Sequence, residues 1–256
     1  IEGIGSARAL NRMTQEHDAY RWICGGVSVN YHTLADFRVD HGEFLDGQLT
    51  ASTAALMSLD LVELNRVAQD GVRVRASAGA ASFRRESTLE ECLEEAEAQV
   101  EALRKELEDD PSATSRRQKA ARERAAQERK RRVEEALAQL PEVEAKKKAA
   151  EKQKARVSTT DPDARVMKMA DGGFRPAFNI QFSTDVESQV ITGVDVSNSG
   201  SDQGQLAPMV EQNCDRYGRC PVESLVDGGY ARLDDIDAAT AMGTTVLMPV
   251  PQPRDE

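Results

Sequence analysis

The sequence predicts an α/β fold: a mixed sheet that is interrupted by a long charged helical hairpin and preceded by a small α-helical domain. Three observations favour this class. Residues 1–62 carry apolar side chains at the three-to-four spacing of short helices. Residues 86–157 are dense in charge and contain a heptad pattern. On both sides of that block, apolar and polar side chains alternate with the period of two that is typical of strands.

The first segment, residues 1–62, is interpreted as an incomplete helical domain of the DNA-binding type. Leu34, Phe37 and Leu45 have helical spacing, and Thr33, with an acid three residues later, is a plausible helix start. The chain begins at "IEGIGSARAL" without a methionine. We therefore expect this domain to continue upstream.

The charged block predicts two helices that pair as an antiparallel hairpin. Residues 86–110 hold 11 acidic and 2 basic side chains, whereas residues 112–132 hold 9 basic and 2 acidic ones. "DDPSATS" supplies the turn between them, and Pro141 is expected to end the second helix. Two interpretations stay open: a solvated charged hairpin, or one that contacts nucleic acid through its basic run. The heptad seam consists of Leu89, Leu93, Ala96, Val100, Leu103 and Leu107.

The segment after the block returns to mixed α/β patterning. Phe178, Ile180 and Phe182 alternate with polar residues, and residues 189–196 form a second strand, so the two predict an antiparallel hairpin. A helix capped near Ser201 follows, then the strand in "VESLVDGGY", another helix, and the strand "TTVLMPV". This order predicts mixed strand pairing in one sheet.

Composition narrows the class of protein. The net charge is −11, and residues 157–256 alone contribute −9, which argues against a protein that coats nucleic acid by bulk charge. The four cysteines contain no C-x-x-C pair, so neither a zinc site nor a disulfide framework is expected, and reduced thiols in a cytoplasmic protein are the simplest interpretation. No apolar run approaches the ~18 residues that span a bilayer, so no membrane contact is expected.

Two aspartates stand at unusual places in the strand pattern. Asp70 lies inside "RVAQDGVRVRASAG", although aspartate is depleted in strands, and Asp227 ends the strand in "LVDGGY". If the two strands are neighbours, both carboxylates reach one cleft and need a cation, for which Mg²⁺ is suited. The glycines beside them would let a substrate approach closely. The alternative is that both acids are ordinary turn formers.

The quoted segments resemble the bacterial insertion-sequence transposases of the DDE type, whose catalytic domain has an RNase H-like fold. The likeness runs from residue 1 to residue 254. It divides the chain into the helical domain 1–62 and a catalytic domain 63–256, incomplete at its C-terminus, with a coiled-coil insertion at 86–157. The segments that carry it are "GIGSARAL", "YRWICGGVSVNYHTLADFRVDH", "RVAQDGVRVRASAGAASFRR", "STTDPDARVMKMADGGFRPAFNIQFSTD", "GVDVSNSGSDQGQLAPMVEQ" and "LVDGGYARLDDI".

The resemblance implies roles for individual residues. Asp70 matches the first acid of the catalytic triad and Asp227 the second, and both would bind Mg²⁺ or Mn²⁺. The third acid of the family is a glutamate on a helix beyond the strand that ends here at Pro249, and Glu256 comes too soon after that strand to take its place. Apart from the resemblance, charge makes four arginines candidate contacts to DNA phosphates, with the solvated side of a strand as the alternative for the first two: Arg73, Arg75, Arg116 and Arg117.

The implied function is transposition of an insertion sequence. Related enzymes use a metal pair to cut donor DNA to a free 3′-hydroxyl and to direct that hydroxyl at target DNA. The expected partners are double-stranded DNA, as terminal inverted repeats and as target, and further copies of the chain in a homo-oligomer. Two alternatives stay open: a catalytically inactive remnant that keeps only DNA binding or assembly, and a nuclease of the same fold.

Overall fold

The computed structural model describes residues 4, 6–109, 116–147 and 149–249. Its helices are α1 (Ala7–Glu16), α2 (Asp18–Ile23), α3 (Tyr31–Asp40), α4 (Gly42–Ser58), α5 (Glu86–Asp109), α6 (Arg116–Ala145), α7 (Leu206–Tyr217) and α8 (Leu233–Ala241). Its strands are β1 (Arg66–Arg75), β2 (Phe83–Arg84), β3 (Val157–Ser158), β4 (Arg165–Lys168), β5 (Phe174–Asp185), β6 (Ile191–Ser197), β7 (Glu223–Leu225) and β8 (Thr245–Leu247). Short 3₁₀ turns lie at Ala80–Ser82, Ala149–Lys154 and Gly228–Tyr230.

The larger sheet is mixed and contains β1 and β4 to β8. Strand β1 lies between β5, which is antiparallel to it, and β7, which is parallel, and β8 extends the parallel side. Strands β4 and β6 both pair with the far edge of β5, one after the other along its length. The mixed α/β class and the predicted β5–β6 hairpin are therefore confirmed.

The buried side of this sheet is unexpectedly polar. Asn179, Gln181 and Ser183 of β5 are fully buried, whereas Phe178, Ile180 and Phe182 between them are only partly buried. On β1 the same division recurs: the side with Gln69 is covered, and Val72 on the other side is 48% exposed. The alternation correctly predicts half-buried strands, and helix α7 and the loop before it cover the polar side.

Helix α7 packs on the covered face through a small apolar cluster of Leu206, Val210, Val226, Tyr230 and Ala239. Its start differs from the predicted cap at Ser201. The helix begins at Leu206, and Asp235 of α8 accepts hydrogen bonds from the Leu206 and Ala207 amides at 3.1 and 3.0 Å. The cap comes from a distant part of the chain, so local sequence does not reveal it. Gly218 ends the helix in the left-handed conformation, as expected.

Helices α5 and α6 exchange ion pairs in antiparallel order. Glu95 pairs with Arg129 at 3.2 Å, whereas Glu106, further along α5, pairs with Lys119 near the start of α6 at 3.7 Å. The expectation that Pro141 ends α6 is wrong, because the helix continues to Ala145. Packing beside the proline explains this, since the preceding turn inserts into a buried apolar cluster. That cluster contains Leu89, Ala136, Leu140, Ala155 and Val157.

The N-terminal helices α1 to α4 occupy the region predicted to be helical. Helix α3 begins at Tyr31 rather than Thr33, because the Asn30 side chain accepts a hydrogen bond from the His32 amide at 2.9 Å and caps it there. Arg216 of α7 donates to Thr50 of α4 at 2.6 Å, so these helices contact the sheet unit. The domain division at residues 62 and 63 stays a prediction.

The expectation of four reduced thiols is wrong for one pair. Cys214 and Cys220 form a disulfide, while Cys24 and Cys92 are free. The left-handed turn at Gly218 reverses the chain after α7 and brings Cys220 back to the last turn of the helix. Within the described residues, no helix combines the length and apolar character needed to cross a bilayer.

Candidate active site

The pairing of β1 with β7 brings the two predicted acids to one level of the sheet. Ala68 pairs with Leu225 in parallel register, and Asp70 and Asp227 each follow that pair by two residues. In parallel neighbours, positions with the same offset share a face. Asp70 and Asp227 therefore stand at equal offsets from the last pair, Asp70 on β1 and Asp227 two residues after the end of β7. The condition for a shared cleft, that the two strands be neighbours, is met.

Local backbone holds one oxygen of each acid. The Gly71 amide donates to Asp70 Oδ1 at 2.7 Å, and the Gly229 amide donates to Asp227 Oδ1 at 2.8 Å. The second bond belongs to the 3₁₀ turn Gly228–Tyr230, which redirects the chain straight after Asp227. Both side chains are exposed to solvent, so their remaining lone pairs are accessible to a ligand.

A third carboxylate, Asp202, borders the pair from the covered face. Its Oδ2 lies 3.7 Å from the point where a Cβ on Gly229 would sit, and Asp227 Oδ1 lies 2.8 Å from the same point. Asp202 is in the loop between β6 and α7, and the sequence pattern does not predict it as a site residue. Within "SDQGQ" it has the composition of an ordinary turn, so only the tertiary contacts distinguish it.

The structure also corrects the role expected for Gly71. A Cβ at this position would lie 2.4 Å from both Asp202 Oδ1 and Gln181 Nε2, and 2.8 Å from Asn179 Oδ1. The space beside Gly71 is therefore filled by the protein's own polar side chains rather than left for a substrate. The glycine is required because these groups cross directly over β1.

The buried hydroxyl of Tyr230 lies close enough to the three acids for their charges to shift its pKa. Burial raises the pKa of its hydroxyl above the ordinary value, and the carboxylates of Asp202, Asp70 and Asp227 raise it further, in that order. Three negative charges therefore act on one buried phenol. Such a concentration of carboxylates beside an apolar cluster is typical of functional sites.

This shift predicts a loss of stability in alkaline solution. Below a pH of about 10 the phenol is protonated in both the folded and the unfolded chain, so the stability is fully present; above it, the unfolded chain ionises first and the stability falls. Tyr217, whose pKa is also raised by burial, contributes in the same direction. We expect Tyr230→Phe to reduce the fall in free energy of unfolding between about pH 9 and pH 11, measured by urea titration. Equal falls in both proteins would contradict this assignment.

Of the four candidate DNA-contacting arginines, the structure describes the side chains of Arg73 and Arg75. Strand alternation puts Arg73 and Arg75 on the opposite side of β1 from Asp70. Arg73 donates to the Gly200 carbonyl at 3.0 Å and lies 3.7 Å from Asp202 Oδ2, so it already has partners within the protein. Arg75 is exposed and, after Arg175 and the Gly173 amide, contributes to lowering the pKa of Asp171. The side chains of Arg116 and Arg117 lie outside the described part of the structure.

Comparisons with protein-family models, with curated proteins and with solved structures found no match. The interpretation of this site therefore depends on its own geometry and on the sequence motifs.

The chemistry of the acid pair suits a hard divalent cation. Asp70 and Asp227 offer exposed carboxylate oxygens, the ligand type that Mg²⁺ and Mn²⁺ prefer, and such ions retain several waters rather than requiring a complete protein cage. Among the residues that the structure describes, no group of three or more His, Cys, Asp or Glu side chains is arranged to hold a metal ion. Asp70 and Asp227 are the side chains that could hold such a cation here.

Proposed function

We propose that this chain is an insertion-sequence transposase with an RNase H-like catalytic domain, which cleaves DNA and transfers the cut strand. The observation that carries the proposal is the parallel pairing of β1 with β7, since Asp70 and Asp227 each follow the Ala68–Leu225 pair by two residues. The sheet order supports it as well, because β1 lies between an antiparallel neighbour and two parallel strands. The motif resemblance indicates the reaction class, and Asp70 and Asp227 are the residues at which we propose that the reaction occurs.

In this proposal each residue has a limited task. Asp70 and Asp227 hold Mg²⁺ or Mn²⁺ at the open face, and the turn after Asp227 orients that carboxylate. A bound metal pair supplies activation of the attacking hydroxyl and stabilisation of charge on the phosphate. The side chains need not form a covalent intermediate. Arg75, exposed at the far end of β1, is available to a DNA phosphate.

The basic side chains of α6 are the first place to look for contacts with DNA, but several of them already have acidic partners within the protein. The later part of the basic run of α6 is paired with acids: Arg131 bonds Glu128 at 2.7 Å, and Arg129 and Lys130 bond glutamates of α5. These pairs favour the solvated-hairpin interpretation for the middle of α6. We therefore propose that DNA contacts lie at the sheet and in the N-terminal helices, with assembly into a homo-oligomer as a further proposal.

Cation binding tests the proposal directly. We expect Mn²⁺, titrated alone and followed by its electron paramagnetic resonance signal, to bind the protein, and Asp70→Asn or Asp227→Asn to weaken that binding by at least about tenfold because a carboxylate ligand is lost. Asp195→Asn is the matched control, since Asp195 is an exposed aspartate on β6 of the same sheet. Unchanged affinity in both site variants would refute the cation site and leave the binding-only alternative.

A further inference from the structure

A chain of side-chain hydrogen bonds crosses the covered face beneath the acid pair. Tyr230 Oη donates to Gln181 Oε1 at 2.5 Å, and Gln69 Nε2 donates to the same oxygen at 3.0 Å. Gln181 Nε2 in turn donates to Asp202 Oδ1 at 2.9 Å. Because Gln181 uses both ends of its amide, its orientation is determined by its neighbours. Four separate parts of the chain are joined by these three bonds.

Asp202 is the acceptor at which this network ends. Its Oδ1 also accepts a hydrogen bond from Asn179 Nδ2 at 2.8 Å, so two buried amides converge on one oxygen. Asn179 and Gln181 are fully buried, and the Asp202 side chain is 19% exposed. Buried amide donors without an acceptor are costly, so the carboxylate at residue 202 holds the loop before α7 against the sheet.

Two members of the network lie close in sequence to the two acids. Gln69 directly precedes Asp70 on β1, and Tyr230 closes the turn that follows Asp227. We infer that Asp202 and Tyr230 are positioning residues: through Gln181, they fix the turn after β7 against β1 and so hold the two carboxylates in register. This inference rests on the proposed cation site, and neither residue is assigned direct contact with the substrate.

The arrangement resembles the support that outer-shell groups give to metal ligands. Partners that orient a ligand typically change metal affinity about 10- to 100-fold when removed, although they touch no metal. Here the ligand to be oriented is Asp227, whose own contact is the Gly229 amide within the same turn. Loss of the Tyr230 hydroxyl would free that turn while leaving the phenyl ring in its apolar cluster.

Two variants test the inference on the full chain. We expect Tyr230→Phe and Asp202→Ala each to weaken Mn²⁺ binding by about tenfold. We also expect both to accelerate hydrogen exchange at the Gly229 amide, measured by nuclear magnetic resonance without metal. The double variant should lose less affinity than the product of the single losses, because both residues act through Gln181.

A conservative variant and a matched control separate positioning from general stability. Asp202→Asn keeps a carbonyl oxygen that accepts from both amides, so it should recover most of the affinity lost in Asp202→Ala. Tyr217→Phe removes a half-buried hydroxyl that donates to the Thr192 carbonyl at 2.7 Å on the same α7 face. It should leave Mn²⁺ affinity and Gly229 exchange unchanged even where it lowers the free energy of unfolding.

The outcomes distinguish this inference from the proposed function. If Asp70→Asn weakens Mn²⁺ binding but Tyr230→Phe and Asp202→Ala do not, the inference is wrong and the cation site stands. If the unaltered protein binds no Mn²⁺, the proposed function fails. The positioning role of Tyr230 and Asp202 then depends on hydrogen exchange alone: faster exchange of the Gly229 amide in both variants supports it, and unchanged exchange overturns it. Recovery by Asp202→Asn without recovery of slow Gly229 exchange would also overturn it.

Discussion

Asp70→Asn and Asp227→Asn are each expected to lower transposition by more than about a hundredfold. Removing a residue that only orients a metal ligand already lowers affinity or activity by up to about a hundredfold, and loss of a direct ligand should have a larger effect. The reason is chemical rather than structural. Asparagine keeps the size of aspartate and one accepting oxygen, so the bonds from the Gly71 and Gly229 amides persist. The negative charge that holds a divalent cation is lost.

The measurement that tests the proposed function is a transposition assay with a donor element that carries the terminal repeats. Binding of the same terminal DNA, measured by gel shift, should be unchanged in both variants, because neither carboxylate is proposed to bind DNA in the absence of metal. Asp195→Asn serves as the control and should transpose normally. Normal transposition by either site variant would remove that residue from the proposed catalytic pair.

Gly71→Ala is expected to destabilise the fold, although alanine is the better strand residue in isolation. Replacing glycine by alanine gains about 0.4 to 1 kcal/mol where the backbone and surroundings accept it. Here the added methyl would meet Asp202 Oδ1 and Gln181 Nε2 at 2.4 Å, and overpacking of this kind costs about 1 to 3 kcal/mol or more. The steric cost exceeds the gain from strand propensity, so we expect a net decrease in the free energy of unfolding.

Urea unfolding gives the free-energy change, and Mn²⁺ affinity should fall in parallel because the methyl displaces Asp202 and Gln181. Gly79→Ala is the matched control: its φ is −86°, and a Cβ there meets nothing within 4 Å. It should be neutral or slightly stabilising. A Gly71→Ala protein as stable as the original would show that the polar side chains over β1 can move aside without loss.

Several elements follow from local sequence alone because their cause is local. The apolar alternation of residues 178–183 gives β5, and the heptad seam from Leu89 gives α5, whose Leu89 and Ala96 are fully buried. Gly218 ends α7 in the left-handed conformation that favours glycine. In each case the residues that form the sequence pattern are the same residues that form the element.

The corrections share a different cause, since each depends on a distant partner. The cap of α7 comes from Asp235, which lies 29 residues after Leu206 in sequence. Pro141 is tolerated within α6 because the residues around it are buried against Leu89 and Val157. The disulfide requires the reversal after α7 that brings Cys220 to Cys214. Local patterns carry no record of such contacts.

The sequence by itself determined that this protein has strands with alternating faces, a charged helical block, and aspartates at two points where strands do not favour them. Only the tertiary structure decided that the amide-bearing face of β5 is the covered one, and that Asp202, rather than a substrate, fills the space beside Gly71. The physical reason is that alternation defines two faces without choosing between them. That choice depends on whether the groups that cover a face can accept and donate its hydrogen bonds, and here Asp202 accepts from Asn179 and Gln181 while Tyr230 donates to Gln181.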